Sequence, residues 1–519
     1  MHILRLESCI AALLITACGS DTSMGHRVDT QLEELWVVDP APLSPAEQTL
    51  ALTLQGLVAG EPKAIWFADG GINGLILEAL QNEGVTTHGI RSVWELLDVF
   101  KTHVDGAILY ELDTPSINVA TSLCGPRRAV AIDTSLLDRA REEGLELLLD
   151  VRDYDELQAF TEFNSLFAHG ILVEQIPAKN AYLRDFAVSR HAFVFWNVSP
   201  EAYAQFADVL GYDPLVFGWG GDEHRWVRDI SEIGGTGIPA DWSRNLSVLA
   251  HLPVEQINRP KKYPDPVREG ERIITFVMSD GDNIQWVGGG FVATQGFWAS
   301  PHRGDFSMTW EMAPVLAEVA PRVLSHFYRT ASQRDAIDDF VTGPSGVGYS
   351  YHNYLPDRRT FAENTARYMR LSDLSVATML NSGGDMSQSV ELLEQPGVMG
   401  VLYKDYAPYN ARRGEIFWHD GKPCVSYRYL LWEPKLANSP ERVATAIAEQ
   451  PASPSTDPDS YALINVHAWS YKDIGGPMEA VRQTIDLLPP GTRVVTAEEF
   501  IILLRNNFGS PVAKAEKNP

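Results

Sequence analysis

The sequence predicts an α/β protein in two parts: an N-terminal α/β domain with a parallel sheet, followed by an irregular or incomplete (β/α) barrel-like C-terminal domain. Two observations predict this. Short apolar runs alternate with helix-like stretches on both sides of a proline-rich, charged link, and several runs in the second half end in a polar or acidic residue. In a (β/α) barrel the active site lies at the C-terminal ends of the strands, so those endings read as converging site groups.

Residues 1–18 carry Arg5 and an apolar run from Cys9 to Ile15, too short for a permanent span but suited to a signal peptide. The run ends Leu14-Ile15-Thr16-Ala17-Cys18-Gly19, which resembles a bacterial lipobox. Cys18 is therefore expected to carry lipid and hold the protein at the bacterial cell envelope, facing the periplasm or the cell surface; without acylation the protein is secreted. Residues 19–34 read as a polar tether. Residues 35–253 read as the N-terminal domain, with strands at Ala64–Ala68, Ala107–Tyr110, Ala129–Ile132 and Leu145–Val151 and helices at Asn73–Glu83 and Ser135–Glu143. The link 254–272 holds three prolines and many charges, the composition of a domain boundary.

Residues 273–508 repeat the alternation, with apolar runs at Ile273–Met278, Phe306–Trp310, Leu374–Leu380, Val398–Tyr403, Tyr461–Val466 and Arg493–Val495. Their polar endings include Asp280, Glu311, Asp405 and His467. Six or seven strong strands, where a full barrel needs eight, predict the irregular or incomplete form. Residues 509–519 read as a disordered tail.

Composition excludes several classes. The 519 residues hold 42 Lys+Arg against 68 Asp+Glu, a net charge of −26, which repels phosphate backbones, so no nucleic-acid partner is expected. Outside the signal segment only Cys124 and Cys424 remain, one in each domain, which excludes a disulfide framework and a cysteine-built zinc site. The membrane is met only through the lipid on Cys18. P-loop, nucleophile-elbow and His-Glu-x-x-His patterns are absent.

Three motifs carry chemistry. Phe276-Val-Met-Ser-Asp280-Gly-Asp282-Asn283 runs an apolar strand into acid-Gly-acid-Asn, which suits a cation or a proton-transfer pair and reads equally as a tight Asx turn. Tyr461–Trp469 ends in His467, a candidate acid/base or ligand or a structural histidine. Gly343–Pro356 combines three glycines with Tyr349, Tyr351, His352 and Tyr354, the makings of stacking on a sugar or of a loop with buried aromatics.

Gly346-x-Gly348-Tyr349-x-Tyr351 resembles the signature of the bacterial GxGYxYP glycoside hydrolases, with Pro356 five residues after Tyr351 where the family has it directly after. The resemblance extends to Asp280–Asn283, Trp310–Pro314, Gly414–Trp418, Arg428–Trp432 and His467–Trp469. In the first half it takes in Asn118–Ser122, Phe217–Glu223, Asp241-Trp242 and Asn245–Ser247. It implies a two-domain secreted or surface protein acting on carbohydrate, and it brings no catalytic assignment.

Glycoside hydrolysis needs two carboxyl groups flanking the bond. The candidates are Asp280, Asp282, Glu311 and Glu223, with Asp280 and Glu311 the favoured pair and Asp282 and Asn283 orienting them. Tyr349, Tyr351, His352, Trp310, Trp469 and Asn283 are expected to bind sugar. Arg428 is expected to clamp a uronate or to make a structural salt bridge. Of the 13 Trp, two or three are expected at the cleft. No cofactor or metal is expected. Two alternatives stand beside this reading: a metal-dependent carbohydrate deacetylase holding a divalent cation on Asp280, Asp282 and His467, and a surface glycan-binding lipoprotein without chemistry.

Overall fold

The computed structural model describes residues 29–509 apart from 255, 335 and 434–437. The signal segment with Cys18, most of the tether and the tail beyond residue 509 lie outside the described residues.

Between residues 34 and 239 the chain builds three parallel sheets. β1 (Glu34–Val38) is flanked by β2 (Lys63–Phe67) and β3 (Thr86–Gly89). β4 (Gly106–Tyr110) is flanked by β5 (Ala129–Asp133) and β6 (Leu147–Asp150). β7 (Ile171–Glu174), β8 (Phe193–Phe195), β9 (Leu215–Gly218) and β10 (Thr236–Pro239) follow in the order β10-β9-β7-β8, which leaves β10 on an edge. The central strands read as continuous apolar runs because helices cover both faces of a parallel sheet.

In the second half, β11 (Arg272–Met278), β12 (Met308–Met312) and β13 (Asp338–Thr342) form one sheet with β18 (Tyr429–Leu431), β19 (Tyr461–Val466) and β20 (Thr492–Val494). β14 (Val376–Asn381), β15 (Gly400–Asp405), β16 (Ile416–His419) and β17 (Lys422–Ser426) form another, in which only β16 runs antiparallel. The ladders do not close into a barrel. Between β13 and β14 the link is an isolated bridge, Pro344 to Thr378. At Tyr427 the chain changes sheets: the Tyr427 N–H donates to Tyr403 O at 3.2 Å, and the next N–H, of Arg428, donates to Leu463 O at 2.8 Å. The result is an incomplete barrel of two sheets. Ile273, Val277, Val341, Leu402, Val425 and Leu463 from five strands pack in one apolar cluster, against Phe500, Ile501 and Leu504 of the helix Ala497–Phe508.

The link 254–272 is anchored through Arg259. Its guanidinium is buried, with Nη1 bonded to Asp339 at 2.6 Å and ion-paired with Glu498, and Nε donating to Asp373 O at 2.6 Å. A buried guanidinium is tolerated because these partners are carboxylates or carbonyls.

The loop after β13 joins the two halves. The Tyr349 N–H donates to Gly237 O at 2.8 Å and the Gly237 N–H to Tyr349 O at 3.0 Å, so the loop adds a short antiparallel edge to β10. A Cβ on Gly348 would lie 2.6 Å from Gly237 O and 2.4 Å from Ile238 Cδ1, so a side chain is excluded there. Gly348 of the Gly-x-Gly-Tyr motif thus lets loop and sheet come together, while Gly346 packs against Thr365 and Phe361 of the helix Arg358–Leu371.

Glu174, at the end of β7, is buried and accepts hydrogen bonds from the Tyr203 hydroxyl and, at 2.9 Å, from the Asn197 N–H. Burial outweighs these bonds and lifts its pKa from 4.5 to about 7. Folding therefore holds a proton that the unfolded chain releases above pH 4.5. The associated stability is full below that pH and is lost as pH rises through 7, on the order of 3 kcal/mol. Urea unfolding at pH 5 and pH 8 is expected to show a loss that is smaller in Glu174→Gln than in the wild type by about this amount, the remainder coming from other buried acids such as Glu311.

Candidate active site

β11 carries the first group. Its apolar face ends at Met278, and the chain then turns through Asp280, whose φ is +70°. Gly281 is required because β12 passes directly against it: a Cβ there would lie 1.6 Å from Glu311 O, and the Ala313 N–H donates to Gly281 O at 2.9 Å. The turn aims the Asp280 carboxylate into a cavity of about 720 Å³. Oδ1 accepts the Trp469 indole N–H at 3.1 Å, Oδ2 accepts the Ser279 hydroxyl, and the Asp280 N–H donates to Glu311 Oε2 at 3.1 Å. Asn283 caps the short helix Ile284–Val287, accepting the Trp286 N–H at 3.1 Å, so the Asx-turn reading and the carboxylate-cluster reading both describe this segment.

Glu223 comes from the other half. It is the first residue of the helix Glu223–Glu232, whose cap Asp222 accepts the Arg225 N–H at 2.9 Å. The docked loop brings the Tyr349 hydroxyl to Glu223, donating at 2.7 Å. Partial burial raises the Glu223 pKa, the Tyr349 hydrogen bond opposes the rise, and the charges of Asp280 and Asp222 add to it. Glu223, Asp280, Asp282, Asn283, Tyr349, His467 and Trp469 all line the one cavity.

Below it lies a polar layer. Glu311 on β12 and Lys404 on β15 are buried and ion-paired, and Lys404 also lines the cavity. Burial lifts Glu311 to about 7; Lys404 opposes the rise and Asp280 adds to it. Asp282 is nearly buried and pushed well up, by burial first and then by Asp280 and Glu311. Asn465 on β19 lines the cavity, and neither of its carboxamide atoms has a protein partner.

Several expected site residues lie elsewhere. Glu311 is behind the cavity, its carboxylate turned to Lys404 and the Asp280 amide, so it is not in the lining and cannot flank a bond there. Trp310 is core: it packs on Phe291 and Trp298, and its N–H donates to Asp338 at 2.9 Å. Tyr351 is buried behind Tyr349, among His224, Tyr354 and Tyr406. His352 is buried edge-on to Phe361, and burial lowers its pKa to about 3. Arg428 is held by Asp459 and takes no part in the lining. His467 stacks on Trp432, centroids 3.8 Å apart at 6°, with Nδ1 2.8 Å from Ser470 Oγ. Among the described residues no group of three His, Cys, Asp or Glu is placed to hold a metal ion, so Asp280, Asp282 and His467 do not form the expected cation cluster.

The lining also holds Trp219, Trp242, Trp432, Tyr406, Tyr409, Lys179, Asp241 and Glu433. Tyr409 continues the Trp432–His467 stack at 4.4 Å. Lys179 pairs with Asp241 and sits 4.3 Å over the Trp242 ring. Of these, Trp219, Trp242 and Trp432 fall within segments that carry the family resemblance; Tyr406 and Tyr409 follow β15 without a pattern of their own.

Three family descriptions match the chain: "GxGYxYP_N second domain" over residues 104–167, "GxGYxYP third domain" over 169–251, and "GxGYxYP putative glycoside hydrolase C-terminal domain" over 271–505. A crystal structure titled as a putative hydrolase from Bacteroides thetaiotaomicron superposes with a TM-score of 0.84. It is 25% identical in sequence, and the match covers 94% of this chain and 98% of that one. No curated protein matches.

Proposed function

Because this chain belongs to the GxGYxYP putative glycoside hydrolase family, we propose that it hydrolyses glycosidic bonds of an extracellular or periplasmic polysaccharide, with Glu223 as the acid and Asp280 as its anionic partner. The observation that carries the reading is that these two carboxyl groups, one from each half, line one cavity together with four tryptophans and three tyrosines. Glu223, its pKa raised, holds further up the pH scale than an exposed glutamate the proton that the leaving oxygen must receive. Asp280, fixed by two donors, faces the anomeric carbon or the water that attacks it. Indole and phenol rings stack on the C–H faces of a sugar, and about 720 Å³ falls within the ~300–1,000 Å³ of small-ligand sites.

The charge inventory indicates the sugar. Besides Glu223 and Asp282, whose pKa values are raised, three acids line the cavity, Asp241, Asp280 and Glu433, against Lys179 and Lys404, each already paired with a carboxylate. Such a surface repels uronates and sulfated sugars, so the bound unit is uncharged.

A panel of neutral and acidic polysaccharides, assayed for reducing ends, tests the proposal. Cleavage is expected on neutral chains. The rate is expected to fall on the alkaline side as Glu223 loses its proton, since a raised acid pKa leaves the working form present below it and absent above it. Cleavage confined to acidic polysaccharides, or a rate with no alkaline decline, would count against it.

A further inference from the structure

Trp469 walls a second depression as well as the catalytic cavity. Its indole N–H is bonded to Asp280 on one side, while its ring meets Trp286 with centroids 4.8 Å apart and Phe297 at 6.3 Å. Together with Thr294, Lys472 and Pro477 these rings line a mostly apolar trough of about 450 Å³. The trough exists because two loops approach closely: Gly476 has a φ of +101°, and a Cβ there would lie 2.8 Å from Gly296 Cα. Trp469 itself is 40% exposed, so a ring of this size stands between the two spaces as a shared, open wall.

We propose that this trough is a second sugar-binding subsite, occupied by the continuation of the same uncharged glycan as it leaves the catalytic cavity past Trp469. The inference rests on the hydrolase reading for the occupant of the first cavity. Continuity is what selects the occupant: a chain seated on Asp280 meets Trp469 next, and beyond it the half-buried ring of Trp286, backed by Phe297, whose apolar surface suits the face of a pyranose ring. Among the described residues this lining carries one lysine and no carboxylate, which sets it apart from the acidic cavity. The enzyme is therefore built for a polymer, and units remote from the cleaved bond contribute to binding.

The test uses the full chain carrying Asp280→Asn, which binds without cleaving, on an array of neutral oligosaccharides graded from single sugars to long oligomers. Affinity is expected to rise about tenfold where the oligomer becomes long enough to stack one more ring. Thr294 is exposed, and Thr294→Trp fills the trough; Thr294→Arg serves if the first variant melts early. Either is expected to remove the gain for long oligomers and leave the capture of short ones unchanged. Affinity independent of length, long oligomers bound equally by the filled variants, or no oligosaccharide retained at all would overturn the proposal. Length-dependent binding that the filled variants abolish, in a wild type that releases no reducing ends, would sustain the subsite and remove the hydrolase reading alone.

Discussion

Glu223→Gln and Asp280→Asn each lower turnover of a neutral polysaccharide by about 10²–10⁴-fold, the range supplied by a positioned acid or base, without lowering the melting temperature. Both substitutions keep shape. The carboxamide oxygen of the Glu223→Gln variant can still accept the Tyr349 hydroxyl, and an amide oxygen at position 280 can still accept the Trp469 N–H, so the walls of the cavity persist. Chemistry alone is lost: a carboxamide has no proton to give to a leaving oxygen, and it carries no negative charge. Turnover in Glu223→Gln should also lose the alkaline decline that Glu223 imposes on the wild type. Steady-state rates across pH on the two variants, with thermal melts in parallel, check this result.

The second large effect concerns Glu311 and Lys404. Either partner alone, left buried without the other, costs about 3–5 kcal/mol. Lys404→Met is expected to reach this cost, and to do so more fully at high pH. Lys404 is the main influence holding the Glu311 pKa down, so its removal lets Glu311 keep its proton further up the pH scale, and ionising it becomes the expensive step. The double variant Glu311→Leu/Lys404→Met replaces the pair by apolar volume and is expected to recover most of the loss, because a buried pair often contributes little more than its hydrophobic substitute. Urea unfolding of the single and double variants measures it. Glu311→Gln, which can still accept the Asp280 amide, is expected to retain turnover that Glu223→Gln loses.

That contrast marks where the sequence was legible. Most apolar runs became the strands they predicted, β11, β14, β15 and β19 among them, because parallel strands covered on both faces must be apolar throughout. β13 escaped notice: Asp338-Asp339 opens it, and those carboxylates are tolerated only because Trp310, Arg303 and Arg259 come to them from elsewhere in the chain. The Asp280 strand end was readable as a local pattern of an apolar run, an acid and a glycine. Which acid shares the cavity with it was less so, because the sequence offers Glu223 as a candidate and favours Glu311. Glu311 is close in sequence and sits at a strand end, yet side-chain direction turns it to Lys404, whereas Glu223 lines the cavity from the other half, where a loop more than a hundred residues away docks on β10 and hydrogen-bonds to it. The aromatic candidates divided for the same reason. Trp310 and His352 carry the residue types of a sugar site, but their faces belong to the core, and Trp219 and Trp242 line the cavity from the N-terminal half.

Joint cleavage of a glycosidic bond by Glu223 and Asp280 is best probed by incubating wild type and Glu223→Gln with the neutral polysaccharide panel and measuring reducing ends and free acetate in the same samples. Reducing ends are expected from the wild type, none above background from Glu223→Gln, and no acetate from either. Acetate without reducing ends, or reducing ends that Glu223→Gln releases at the wild-type rate, would contradict the assignment of Glu223 and Asp280.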